Sequence, residues 1–72
     1  MRFNKKELSG IIGERIRQIR NNKGLSIESL SIDCDMDPTQ LSRIELGKIN
    51  TSVYQIYKLC AALDVSVNEV LF

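Results

Sequence analysis

Residues 26 to 47, SIESLSIDCDMDPTQLSRIELG, read as two short helices joined by a tight corner, and the second half of the stretch leaves the chain least freedom. Asp37 is a good N-cap, Pro38 fits the first helical position, where no amide donor is needed, and Gln40 stands where it completes a capping-box pattern. A helix starting there turns Leu41 and Ile44 inward and puts Thr39, Arg43 and Leu46 on the opposite side, with Gln40 and Ser42 flanking that outer face. Short polar groups and a single Arg on a helix anchored from behind suit it to reading base edges in a groove.

The segments on either side read as support for that helix. Asn4-Lys5-Lys6-Glu7 is a capping box, and Leu8, Ile12, Ile16 and Ile19 follow as one apolar stripe until Asn22-Lys23-Gly24 stops it. Gly10 and Gly13 lie inside this first helix, each costing up to about 1 kcal/mol against Ala. Either its first turns fray or a neighbouring helix approaches closely there. Ser26 caps the second helix, Leu25 is placed to staple against Leu30, and Leu30 and Cys34 supply the buried side. Ser31 is small enough for close contact, and Asp35 turns the corner in a left-handed conformation.

Met36 and Leu41 repeat the staple for the third helix, which ends at Gly47. Beyond the connection Lys48-Ile49-Asn50-Thr51, the capping box Ser52-Val53-Tyr54-Gln55 opens a fourth helix with Val53, Ile56, Leu59, Cys60 and Leu63 as its stripe, ended by Asp64. Ser66-Val67-Asn68-Glu69 is another capping box, flanked by a Val65/Val70 staple, for a short fifth helix running to Leu71 and Phe72. Short helices with short connections and no strand signal define one compact all-α domain over residues 1–72.

Composition narrows the functions. At 72 residues the chain is near the lower limit for a single unaided core, which its 43% apolar share makes feasible. It has no apolar run long enough to span a membrane, and MRFNKKELSG lacks the hydrophobic middle of a secretory signal, so the expected location is the cytoplasm. Cys34 and Cys60 have neither CxxC spacing nor any His to complete a metal site, and are expected to be buried, reduced thiols. With no His, no Gly-rich phosphate loop and no nucleophile beside a base, neither catalysis nor a cofactor is expected.

The net charge of +1 conceals a polarised distribution: residues 1–23 carry Arg2, Lys5, Lys6, Arg15, Arg17, Arg20 and Lys23 against Glu7 and Glu14, a balance of +5, whereas residues 24–47 balance at −4. Cationic phosphate contacts are therefore expected mainly from the first helix, from Arg43 and from the Lys48 region.

From about Ile12 to Leu71 the sequence resembles the Cro/C1-type helix-turn-helix family, also called XRE, of phage repressors and bacterial regulators. Three blocks carry the resemblance in order: IGERIRQIRNNKGLS, SLSIDCDMDPTQLSRIELGK and LCAALDVSVNEVL. It implies a five-helix lambda-repressor-like fold in which helix two crosses the DNA backbone and helix three enters the major groove. The implied function is sequence-specific transcriptional regulation, as a homodimeric repressor on a two-fold symmetric operator with half-sites roughly 34 Å apart.

By motif alignment the base-reading positions are Pro38, Thr39, Gln40, Ser42 and Arg43. A guanidinium at Arg43 bonding guanine O6 and N7 gives roughly 1 to 3 kcal/mol of discrimination. Pro38 reads only by apolar contact, for example with a thymine methyl. Phosphate contacts map to Ser26, Lys48, Asn50 and Ser52, with help from helix N-terminal amides. The family's structural ion pair maps to Arg20 and Glu45, where it fixes helix three on helix one. Candidate dimer-interface residues are Val67, Leu71 and Phe72, with Tyr54 and Tyr57.

The chain departs from the family pattern at three places. Ile27 stands where many members have Gln, Leu46 replaces a polar or basic residue on the outer face, and Asp35 replaces Gly or Asn at the corner. Asp33, Asp35 and Asp37 are expected to repel phosphate and to weaken non-specific binding. The alternative function is an antitoxin or other protein-binding module of the same fold, presenting its acidic stretch to a basic, toxin-like partner.

Overall fold

The computed structural model describes residues 4–71, so the charge of Arg2 and the interface role expected of Phe72 lie outside the described residues. Within them the chain forms α1 (Lys5–Asn22), α2 (Ile27–Asp33), α3 (Pro38–Glu45), α4 (Val53–Leu63) and α5 (Val67–Leu71), with no strand. The expected all-α architecture holds.

Helix starts follow local capping chemistry. Asn4 Oδ1 accepts from the Glu7 amide at 2.8 Å, and Ser26 Oγ accepts from the Ser29 amide at 3.0 Å. At α4 the box is reciprocal: Ser52 Oγ accepts from the Gln55 amide at 3.1 Å, and Gln55 Oε1 accepts from the Ser52 amide at 3.2 Å. The start of α3 departs from expectation. Asp37 Oδ1 accepts from the Thr39 amide at 2.7 Å, one residue earlier than a capping box requires, and Gln40 makes no return bond to Asp37. Either amide of the first turn satisfies an N-cap carboxylate, so the helix starts where expected by a different bond.

Asp35 turns the α2–α3 corner at φ 52°, in the left-handed region as read from the sequence, and Asp64 ends α4 at φ 58°. Two glycines set how the helices meet. A Cβ on Gly13 would run into the Ile44 and Glu45 carbonyl oxygens, and one on Gly47 would come within 2.7 Å of Gly10 Cα. Of the two explanations for glycines inside α1, close approach of another helix is the one realised at Gly13, and the helix is α3.

The core is built from Ile12 and Ile16 of α1, Leu30 with Cys34, Leu41 and Ile44 of α3, Ile56, Leu59, Cys60 and Leu63 of α4, and Val70 of α5. Ser31 is fully buried among them, its hydroxyl donating to the Glu28 carbonyl at 2.8 Å. Val53 does not belong to this core. It opens α4 at 84% exposure, because a first-turn residue at the helix end projects past the last packed layer.

Candidate nucleic-acid interface

The inner side of α3 is held by apolar packing and by one ion pair. Leu41 and Ile44 are completely buried. Arg20 Nε donates to Glu45 Oε2 at 2.7 Å, Nη2 donates to Oε1 at 2.9 Å, and Nη1 donates to the Leu25 carbonyl at 2.8 Å. The two side chains are 11% and 4% exposed, so one planar guanidinium locks α1, the α1–α2 connection and α3 together. Its hydrogen bonds to Glu45 push the Arg20 pKa above the usual arginine range, against the opposing effect of burial. Arg20 and Glu45 thus form the pair expected of them.

The outer side of α3 faces the first turn of α2 across an open groove of about 470 Å³, lined by Ile27, Glu28, Pro38, Thr39, Ser42, Arg43, Leu46 and Lys48. Among the described residues, the side chains of Thr39, Ser42, Arg43 and Lys48 make no hydrogen bond or ion pair, so their donors and acceptors are free for a ligand. Four of the five sequence-derived reading residues therefore share one groove with Lys48. Gln40, half-buried, does not line it.

The other residues expected at phosphate do not line this groove. Ser26 directly precedes Ile27, with its hydroxyl engaged as the α2 cap. Asn50 lies beside Lys5 and Thr51, and its Oδ1 accepts from Ser9 Oγ at 2.9 Å. The Ser52 hydroxyl is taken by the α4 cap.

The charged side chains divide between two recesses. Asp33 and Asp35 line a different recess, with Tyr57, Lys58 and Ala61, where Lys58 Nζ donates to the Asp35 carbonyl at 3.3 Å and sits 5.3 Å from the Tyr54 ring centroid. The carboxylate that does line the groove is Glu28, which the sequence reading passed over. The available signal was its position in the first turn of α2, beside Ile27.

The α1 arginines are also more committed than their charge count implies. Arg15 Nη1 donates to the Val70 carbonyl at 3.1 Å, Arg20 is bound to Glu45, and Arg17 lies 3.8 Å from Glu14 in an exposed, weak pair. The cations inside the groove are Arg43 and Lys48.

A positioned helix with an unengaged polar face, crossed at its start by a second short helix, is the geometry of the helix-turn-helix. The helix-turn-helix family model matches residues 16–70. The chain belongs to this family. It is of the XRE, DNA-binding regulator type expected from the sequence, and its relatives agree. The chain is 39% identical over 62 residues to the control protein C.BamHI of Bacillus amyloliquefaciens, covering 85% of this chain and 76% of that one.

Identity to the transcriptional regulator SinR of Bacillus subtilis is also 39% over 62 residues, but the match spans only 56% of SinR. Among solved structures, the restriction-modification controller protein C.AhdI from Aeromonas hydrophila superposes with a TM-score of 0.84 at 35% identity, over 86% of this chain and 94% of that one. Among the described residues, no helix of this regulator is long and apolar enough to cross a membrane.

Proposed function

We propose that this helix-turn-helix regulator is a sequence-specific repressor that binds a two-fold symmetric operator as a homodimer, each protomer placing α3 in the major groove of double-stranded DNA. The observation that carries the reading is the groove itself: Pro38, Thr39, Ser42, Arg43 and Lys48 converge on it, and among the described residues none of the four polar side chains has a hydrogen-bond or ion-pair partner. Arg43 pairs with a guanine edge, Thr39 and Ser42 take base edges or adjacent phosphates, and Gln40 contributes from the flank. Lys48, the α2 start at Ser26 and the segment from Asn50 to Ser52 track phosphate.

One such face covers a single half-site, which is the physical reason for dimerisation. The proposed interface uses Val67 and Leu71, together with Tyr54 and Tyr57, which expose more apolar surface on α4 than α5 offers. Working on DNA, the protein acts in the cytoplasm, without a cofactor and without catalysis.

Fluorescence anisotropy against its own upstream DNA, with a random duplex as control at two salt concentrations, tests the reading, and a footprint reports the operator's symmetry. Tight cognate binding with a two-fold symmetric footprint is expected. Absence of binding at low salt, or equal binding to cognate and random duplex, overturns it. A second reading would then take its place, that of an antitoxin-like module presenting the acidic stretch of Asp33 and Asp35, beside the 78% exposed Ile32, to a basic protein partner.

A further inference from the structure

Beside Arg43, Thr39, Ser42 and Lys48, the groove is lined by three apolar side chains. Ile27 is the first residue of α2, half-buried against the core, and Pro38 the first of α3, and both line it, as does Leu46, 61% exposed, at the far end of α3. None of the three side chains has a hydrogen-bond donor or acceptor, and Pro38 lacks even an amide hydrogen. Glu28, beside Ile27, is acceptor-only when ionised, so it adds no donor for the N7 and O6 atoms of a purine edge. Any base edge set against this wall must give up water without a polar partner, which is costly for the amino and carbonyl groups of a base. The C5-methyl of a pyrimidine is the apolar group that a base pair presents in the major groove, and burying it is favourable.

We infer that Ile27 and Pro38 form a methyl-reading wall that selects a 5-methylpyrimidine, beside the base read by Arg43, in each half-site. Ile27 is thereby a specificity-determining residue on α2, although base reading in this docking mode is centred on α3. The inference rests on the proposed DNA-binding function. Its ligand chemistry, a methyl on pyrimidine C5, is shared by thymine and 5-methylcytosine.

The test begins with selection of the preferred site from random duplexes by the full chain. Each thymine of the selected site is then replaced singly by deoxyuridine, each cytosine singly by 5-methylcytosine, and binding is followed by fluorescence anisotropy. Removing one methyl from the wall is expected to cost about three- to fivefold in affinity at one position per half-site, the equivalent of one buried carbon. If that position is a cytosine, methylating it is expected to tighten binding by the same factor.

The effect is expected to persist in Ile27→Val, which keeps the wall, and to vanish in Ile27→Gln. Circular dichroism checks that both variants are folded, and should Ile27→Gln fail to fold, Ile27→Ser with the same readout replaces it. Where the position is a thymine, putting 5-methylcytosine opposite guanine there separates the two sources. Retained binding shows that the methyl suffices, and lost binding restricts the wall to thymine; either supports a methyl reader.

A selected site indifferent to every deoxyuridine and 5-methylcytosine replacement overturns the inference while leaving the DNA-binding function standing. So does a methyl effect that is unchanged in the folded polar variant of Ile27. Failure to select any site overturns both.

Discussion

The carbonyl oxygen of Ile44 stands where a Cβ on Gly13 would lie, so the closest approach of α1 to α3 is set by the absence of a side chain. Gly13→Ala must push the two helices apart, and the expected loss of about 1 to 3 kcal/mol from overpacking outweighs the helix-propensity gain of up to about 1 kcal/mol. Gly10 is the control, because a Cβ there meets nothing within 4 Å. Gly10→Ala is expected to raise the melting temperature by about 4 to 8 °C, and Gly13→Ala to lower it by at least as much, in thermal unfolding followed by circular dichroism.

Glu45→Gln leaves the Arg20 guanidinium largely buried without its carboxylate. Urea unfolding should show a loss of about 3 to 5 kcal/mol. Arg20→Lys keeps the charge but not the two-pronged bond or the contact to the Leu25 carbonyl, and should recover only part of it. Because Glu45 fixes α3 against α1, specific DNA affinity should fall in both variants even where they remain folded.

Arg43 and Lys48 share the groove but are expected to act differently on DNA. Arg43→Ala should reduce cognate affinity by roughly 1 to 3 kcal/mol and relax the preference at one base position. Lys48→Ala should weaken cognate and random duplexes alike and lower the salt slope by about 1. Anisotropy titrations over a salt series separate the two, and equal shifts on all sequences by both variants would make Arg43 a phosphate contact.

Glu28 places a negative charge in the groove, whereas Asp33 lies in the recess with Tyr57 and Lys58. Glu28→Gln should tighten random-duplex binding about twofold at low ionic strength, an advantage that disappears as salt screens it. Asp33→Asn should leave binding nearly unchanged. The reverse ranking would move the DNA face toward the C-terminal end of α2.

Burial pushes the thiols of Cys34 and Cys60 above the ordinary range, a rise that Lys58 partly opposes at Cys34 and Glu69 reinforces at Cys60. Below the unfolded thiol pKa of about 8.5 both states are protonated and the folded form carries no penalty. As pH rises past that value the unfolded chain releases protons first, so stability is lost progressively until the folded thiols also ionise. Urea midpoints at pH 7 and pH 9.5 should therefore fall further in the native protein than in a Cys34→Ala, Cys60→Ala variant.

What could be read from the sequence was what neighbouring residues decide among themselves. Caps at Asn4, Ser26, Asp37 and Ser52, the left-handed turn at Asp35 and, Val53 apart, the inward stripe of each helix depend on contacts within a few residues, so their positions follow from local chemistry. The pairing of Arg20 with Glu45 spans 25 residues and was accessible only through the family resemblance. Tertiary structure alone decided which explanation of Gly13 holds, that Glu28 and not Asp33 or Asp35 enters the groove, and that Arg15 is engaged by the Val70 carbonyl. Each of those outcomes depends on the distance between segments remote in the chain, which periodicity and charge counts do not encode. Helix boundaries are local agreements between backbone and side chain, whereas a binding face is made only when separate helices pack.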